Sequence, residues 1–233
     1  GFEVLGGVYP EALSADVRDG LEAAAKGVST TAVAAARATV IEMPRAAAAE
    51  SEAAMDAFVG LMHVLVVFGR AIGRCEVYEE GDLARHAYWD PRLLAPGVSI
   101  GPLLREAAGP TRGLHLQAET EHAGILMGLC EQGFVRFADH VPTVWVTAPT
   151  QDVANLGFLV NGPFALDIGR AQLAKGSLSN ERAADRLGAD VGRRLCALHD
   201  LCFEDWPGMT AQMGLSDDVD AYDLWVSLWG ICA

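Results

Sequence analysis

Positive charge is scarce in this chain of 233 residues. Lys and Arg number 17 against 31 Asp and Glu, a net charge of -14. An acidic surface repels a phosphate backbone, and no run of Lys or Arg marks a basic groove. Nucleic-acid binding through this surface is therefore disfavoured. Cysteine is sparse as well. Cys75, Cys130, Cys196, Cys202 and Cys232 are odd in number and irregular in spacing, which argues against a disulfide framework and for the reducing cytoplasm. The chain opens Gly-Phe-Glu, without Met or a basic leader, so the expectation is a piece of a longer or processed protein. Its most hydrophobic run, Ala57 to Gly69, is shorter than the ~20 residues that a membrane span needs. That run holds His63 and is followed by Arg70 and Arg74, so it reads as a buried core helix.

Common catalytic signatures are missing too. There is no Gly-x-Ser-x-Gly elbow, His-Glu-x-x-His, Walker A sequence or Gly-x-Gly-x-x-Gly turn. This removes the usual hydrolase, zinc-protease, P-loop and Rossmann readings.

The chain does have apolar residues, 51% of the total, enough for a large core. From about Ala46 to Arg74 the spacing predicts a helix with Met55, Val59, Met62 and Val66 in one stripe. Residues 76–113 are rich in Gly and Pro and hold one short expected helix, Gly101 to Ala108; this is the expected organisational break. The division is thus 1–113, mostly helical with a Gly/Pro-rich end, and 114–233, α+β with an acidic helical tail. Glu121 to Gly133 reads as a helix ended by Gly133. Residues 143–148 and 156–164 read as strands, and a short helix is expected from about Gly169 to Lys175. Asn180 to Cys202 is the strongest helix, with Ser179 as its N-cap and Leu187, Val191, Leu195, Leu198 and Cys202 as its stripe. Gly188 and Gly192 beside that stripe imply another element close to the backbone. Val219, Tyr222, Trp225, Val226 and Trp229 recur at helical spacing near the end. The fold class is α+β: helix-rich, with a small sheet around 143–164 and a long C-terminal helix pair.

Three clusters carry possible chemistry, each beside a plainer reading. Cys196, His199 and Cys202 lie three residues apart, about 60° from one another around a helix, so they are either convergent metal ligands or, for the two thiols, ordinary core cysteines. His115, Glu119, Glu121 and His122 are either an acid–base cluster or groups of a loop and helix start. Phe158 to Lys175 runs a hydrophobic strand through Gly162-Pro163 into Asp167, Gly169, Arg170 and Lys175. Arg170 is a forked donor suited to phosphate; the plainer reading pairs it with Asp167 at the surface.

Residues 156–175 resemble the middle-domain segment of GHKL-type ATPases, the heat-shock protein 90 and sacsin-like chaperones. There a strand leads through a Leu-Asn-Ile/Val-Ser-Arg turn into a helix, and Leu166-Asp167-Ile168-Gly169-Arg170 matches that turn with Asp for Asn and Gly for Ser. The Trp145–Thr150 strand, Gly162-Pro163-Phe164 and the Asn180–Leu201 helix extend the similarity over roughly residues 140–205, toward large bacterial sacsin-like ATPases found in defence contexts. The resemblance implies that Arg170 reaches the terminal phosphate of ATP, with Lys175 a weaker second contact. ATP and Mg would be held mainly by an N-terminal nucleotide-binding domain outside this chain, and the isolated chain would carry no cofactor. The family's phosphate-contacting glutamine, four residues after the arginine, is Ala174 here. Its Asp-x-Gly-x-Gly and glycine-rich lid are missing from 1–233, so the chain is not the complete ATPase. The expected role is a coupling segment that senses bound ATP, chaperone-like or defence-related, with a protein client as a further partner and no membrane. A non-catalytic interaction domain is the alternative, docking through the acidic C-terminal helix with Trp225 and Trp229. For those two tryptophans ordinary core packing is the plainer reading.

Overall fold

The computed structural model describes residues 2–5, 9–12, 48–69, 72–79, 82–103, 110–120, 122–152, 154 and 156–232. The chain divides into two compact units. One comprises Gly1–Ala57 and Val77–Arg85, the other Phe58–Glu76 and His86–Ala233. In the first unit β1 (Phe2–Leu5) pairs antiparallel with β2 (Tyr9–Ala12). Helix α1 (Ala48–Phe68) begins in the first unit and continues into the second, and β3 (Arg74–Glu79) pairs with β4 (Asp82–Tyr88) as a separate ribbon.

The second unit is built on an eight-stranded mixed sheet of β5 (Arg92–Ala95), β6 (Val98–Pro102), β7 (Arg112–Gln117), β8 (Gly124–Cys130), β9 (Gly133–Val135), β10 (Val144–Val146), β11 (Ala148–Pro149) and β12 (Leu159–Asn161). The order is β11-β10-β12-β8-β7-β6-β5, with β9 beside the far half of β8; only β10 and β12 run parallel. Three helices follow: α2 (Leu178–Glu204), α3 (Trp206–Met213) and α4 (Ala221–Cys232).

The architecture is therefore α+β, and both segments expected to form strands, 143–148 and 156–164, contribute to the sheet. The sheet extends well beyond them. Glu121 to Gly133 is not a helix. Its middle is β8, every residue of which from Gly124 to Leu129 is buried. A strand covered on both faces loses its alternation and reads as a continuous apolar run, which periodicity cannot separate from a buried helix. The Gly/Pro-rich stretch carries β3 to β6, and β6 pairs with β7 across residues 98–102 and 112–116. The described part of 1–113 thus holds six strands and one helix. Gly101 and Pro102, expected to open a helix, end β6; residues 104–109 lie outside the described set, as do residues 13–47, where Val17, Leu21 and Ala24 after Ser14 have the spacing of a helix and 28–43 read as either strand or helix.

One sheet face carries the larger, mainly aliphatic core cluster, with Phe134 of β9 in it. Val98, Ile100, Leu114, Leu116, Ile125, Met127 and Leu129 pack in one cluster with Leu187, Val191, Leu198 and Cys202 of α2, Met209 and Met213 of α3, and Leu224, Leu228 and Ile231 of α4. Each fully buried side chain of this kind contributes about 1.5–3 kcal/mol from burial. The expected α2 stripe is confirmed, although its N-cap is Ser177 rather than Ser179. Gly188 and Gly192 meet nothing within 4 Å, so no element packs against them among the described residues. On the opposite face Leu126, Trp145 and Leu159 pack with Val64 and Phe68 of α1 and with Val141.

Candidate functional site

The segment after β12 folds back on itself as a tight loop. Leu166 and Leu173 form an antiparallel bridge, the Asp167 N–H donates to the Gln172 carbonyl (2.8 Å), and the Ala174 N–H donates to Ala165 (2.9 Å). Its tip is therefore Ile168-Gly169-Arg170-Ala171. The Asp167 carboxylate closes the tip by accepting from the Ala171 and Gln172 N–H groups (3.1 and 3.3 Å). Asn180, in the first turn of α2, clamps the base: its Oδ1 accepts from the Ala165 N–H (2.7 Å) and its Nδ2 donates to the Ala165 and Ala174 carbonyls (3.0 and 3.4 Å). Asp152 accepts from the Leu173 N–H, and the Gln151 N–H donates to Ala171 (2.7 Å).

Arg170 stands at this tip, exposed, with φ of 55°. The left-handed region costs a non-glycine residue about 1–2 kcal/mol. Among the described residues no carboxylate lies within ion-pair distance of its guanidinium; Asp167 is committed to backbone N–H groups instead. The helix expected from Gly169 to Lys175 does not form, because the Asp167 closure and the Leu166–Leu173 bridge already satisfy those backbone groups. Arg170 thus sits on a pinned loop rather than at a helix N-terminus. Lys175 is exposed on the return leg, in the turn that leads to Ser177. The structure does not bring the two cations to a defined shared site.

The other clusters separate. Cys202 is buried in the α2 core while Cys196 and His199 are exposed, and no group of three metal-type ligands occurs among the described residues. His199 lies 5.3 Å from the Trp225 ring. Burial pushes the Cys202 thiol up to about 11. Of the acid–base candidates, Glu119 pairs with Arg193 of α2 (3.2 Å), and its N–H donates to the buried Asp190 (2.9 Å). Glu121 lies outside the described residues. His115 and His122 do come together, lining one cavity with Phe68 and Trp89. Burial depresses His115 to about 4, so the imidazole is neutral near pH 7.

Sequence reasoning missed two groups. Asn161, 3% exposed, accepts from the Thr147 N–H (2.9 Å) and donates to the His122 carbonyl. Both partners have positive φ, 67° at Thr147 and 64° at His122, and a β-branched residue there is a true outlier. The legible signal was an Asn inside an apolar strand. The second is His63, whose buried Nδ1 has no hydrogen-bond partner among the described residues. Desolvation first, and nearby His140 second, lower its pKa to about 4.

Comparison with protein-family models, curated proteins and solved structures returns no match.

Proposed function

We propose that this chain is a coupling segment of a larger GHKL-type ATPase of the cytoplasm, in which Arg170 is directed at the terminal phosphate of ATP held by a preceding domain. The observation that carries the reading is the Arg170 loop. An exposed guanidinium with no carboxylate partner among the described residues is held at the tip of a loop clamped by Asn180 and Asp152. A surface arginine kept for stability would not require a left-handed backbone, and such strain gathers at functional positions. The guanidinium fits a phosphate contact, and bound Mg-ATP would supply the phosphoryl chemistry. This chain's part is to place positive charge where negative charge develops. Lys175 is the weaker second cation. The partners are the nucleotide-binding domain and, through the helical parts, a protein client.

The test is ATP turnover in the protein that carries this chain together with its nucleotide-binding domain. Arg170→Ala should cut turnover by ~10³, the low end for a phosphate-directed arginine, with nucleotide affinity little changed. Arg170→Lys should not restore it fully, because a point charge lacks the fork. Unchanged turnover in both variants would sink the reading. Residues 1–233 alone should bind no ATP at micromolar concentration in calorimetry, since the sequence holds no phosphate-cradling loop.

One observation favours the interaction-domain reading. Tyr222, Val226 and Trp229 are 74%, 48% and 73% exposed along one side of α4, beside Asp223, while Trp225 is partly buried. An Asp-x-Gly-x-Gly motif in the reading frame upstream of Gly1 separates the two, favouring the ATPase where present and the interaction module where replaced by an unrelated domain.

A further inference from the structure

The face of the sheet opposite α2–α4 carries a cavity that the Arg170 reading does not use. Its volume is about 260 Å³, and Phe68, Trp89, Ser99, His115, Gln117 and His122 line it. No carboxylate, ammonium or guanidinium belongs to its lining among the described residues. Three features indicate a kept space rather than a packing flaw. The His115 imidazole is half-buried and makes no hydrogen bond to a described residue, and its ring nitrogens are not sealed off, so they are open to the cavity. Its seat is Gly124 on the neighbouring strand, where an added Cβ would come within 2.7 Å of His115 Nε2. Gln117, Gly124 and Asn161 stand in register across three strands, and Asn161 holds the His122 carbonyl, fixing that residue at the cavity in its left-handed conformation.

A charged ligand would lose its hydration here without an opposite charge to compensate it. The half-buried Trp89 ring offers apolar surface for a flat partner, and the buried Phe68 closes the inner side of the cavity. Ser99, Gln117 and neutral His115 together offer both donors and acceptors, as the edge of a heterocycle requires. We propose that this cavity binds a small, flat, uncharged heteroaromatic ligand of the nucleobase class, with Trp89 against its face and Ser99, His115 and Gln117 on its edge. The site stands whether or not Arg170 serves a phosphate.

The probes are adenine, cytosine and uracil, with orotate as the anionic counterpart of uracil, titrated into the full chain while the histidine ring resonances are followed by NMR. At least one base should move the His115 resonance with Kd on the order of 0.1–1 mM, ordinary for about ten heavy atoms. Uracil should bind at least ~10-fold tighter than orotate, since the anion alone loses hydration that the site does not replace. Gln117→Leu, at an exposed position that does not threaten folding, should weaken the best base ~10-fold or more, and His115→Phe likewise, with an unchanged thermal midpoint for Gln117→Leu. The proposal is overturned if no base shifts His115 up to millimolar concentration. Equal binding of orotate overturns it too, as does undiminished binding by Gln117→Leu.

Discussion

The two faces of one sheet follow different rules. On β7 and β8 the residues toward α2–α4 are Leu114, Leu116, Ile125, Met127 and Leu129, all buried in a single, mainly aliphatic cluster. Their neighbours in the chain, on the other face, are Gly113, His115, Gln117, Gly124, Leu126 and Gly128. His115 and Gln117 there border a cavity of about 260 Å³. The alternation of a strand sends one residue to a face that holds the fold and the next to a face that leaves room. Stability and site are thus carried by interleaved residues of the same strands.

Substitutions can break that contrast. The largest loss is expected at Leu114→Ala, which empties a fully buried position and should cost about 2–5 kcal/mol in chemical denaturation. A loss below about 1 kcal/mol would show that the aliphatic face is not the principal core. The second effect is a pH dependence arising on the other face. His63 and His115 have folded pKa values lowered from 6.5 to about 4. Between those values the unfolded chain binds more protons, so their contribution is complete above about 6.5, falls as pH drops and levels off below about 4. The two together should amount to a few kcal/mol over that window. His115→Phe should flatten the slope of stability against pH between 6.5 and 4; an unaltered slope would contradict a neutral, half-buried imidazole.

Asn161→Ala comes next, at about 1–3 kcal/mol, because it strips partners from Thr147 and His122. Hydrogen exchange at the Thr147 amide should quicken in that variant, and unchanged protection would mean that the strained backbone is held by something else. Gly113→Ala and Gly128→Ala sharpen the comparison further. At Gly113 the new methyl meets Leu126 Cδ1 at 2.7 Å, a movable end, whereas at Gly128 it meets the Val135 carbonyl at 2.8 Å. Overpacking against backbone should make Gly128→Ala the costlier, within about 1–3 kcal/mol. The smallest change belongs to Ile168→Ala at the loop tip, which is wholly exposed and should leave the melting temperature unaltered.

The legible parts of the fold were those whose pattern is one-sided. Helix α2 buries Leu187, Val191, Leu198 and Cys202 and leaves its other side wet, so a period near 3.6 survives in the text. Strand β10 was legible from Val144-Trp145-Val146, and α1 from its long apolar run. Strand β8 was not, because burial on both faces erased its alternation; Gly124 and Gly128 inside the run were the available sign of close approach. At the candidate sites, Arg170 was singled out by its residue type, yet its place on a loop instead of a helix depended on Asp167 turning to the backbone. His115 and His122 were named as a cluster together with Glu119, which in space belongs to Arg193.

By itself, then, the sequence determined the α+β class, the acidic surface, the amphipathic α2 and the exposed cation in the Asp167–Arg170 turn, because composition and local periodicity act within a few residues along the chain. Only the tertiary structure decided that eight short strands share one sheet, that Asn161 holds two strained residues 25 positions apart, and that His115 faces a cavity with Phe68 and Trp89. Those outcomes rest on strand register and on which side chain fills which space, and both are set by contacts between segments far apart in the chain.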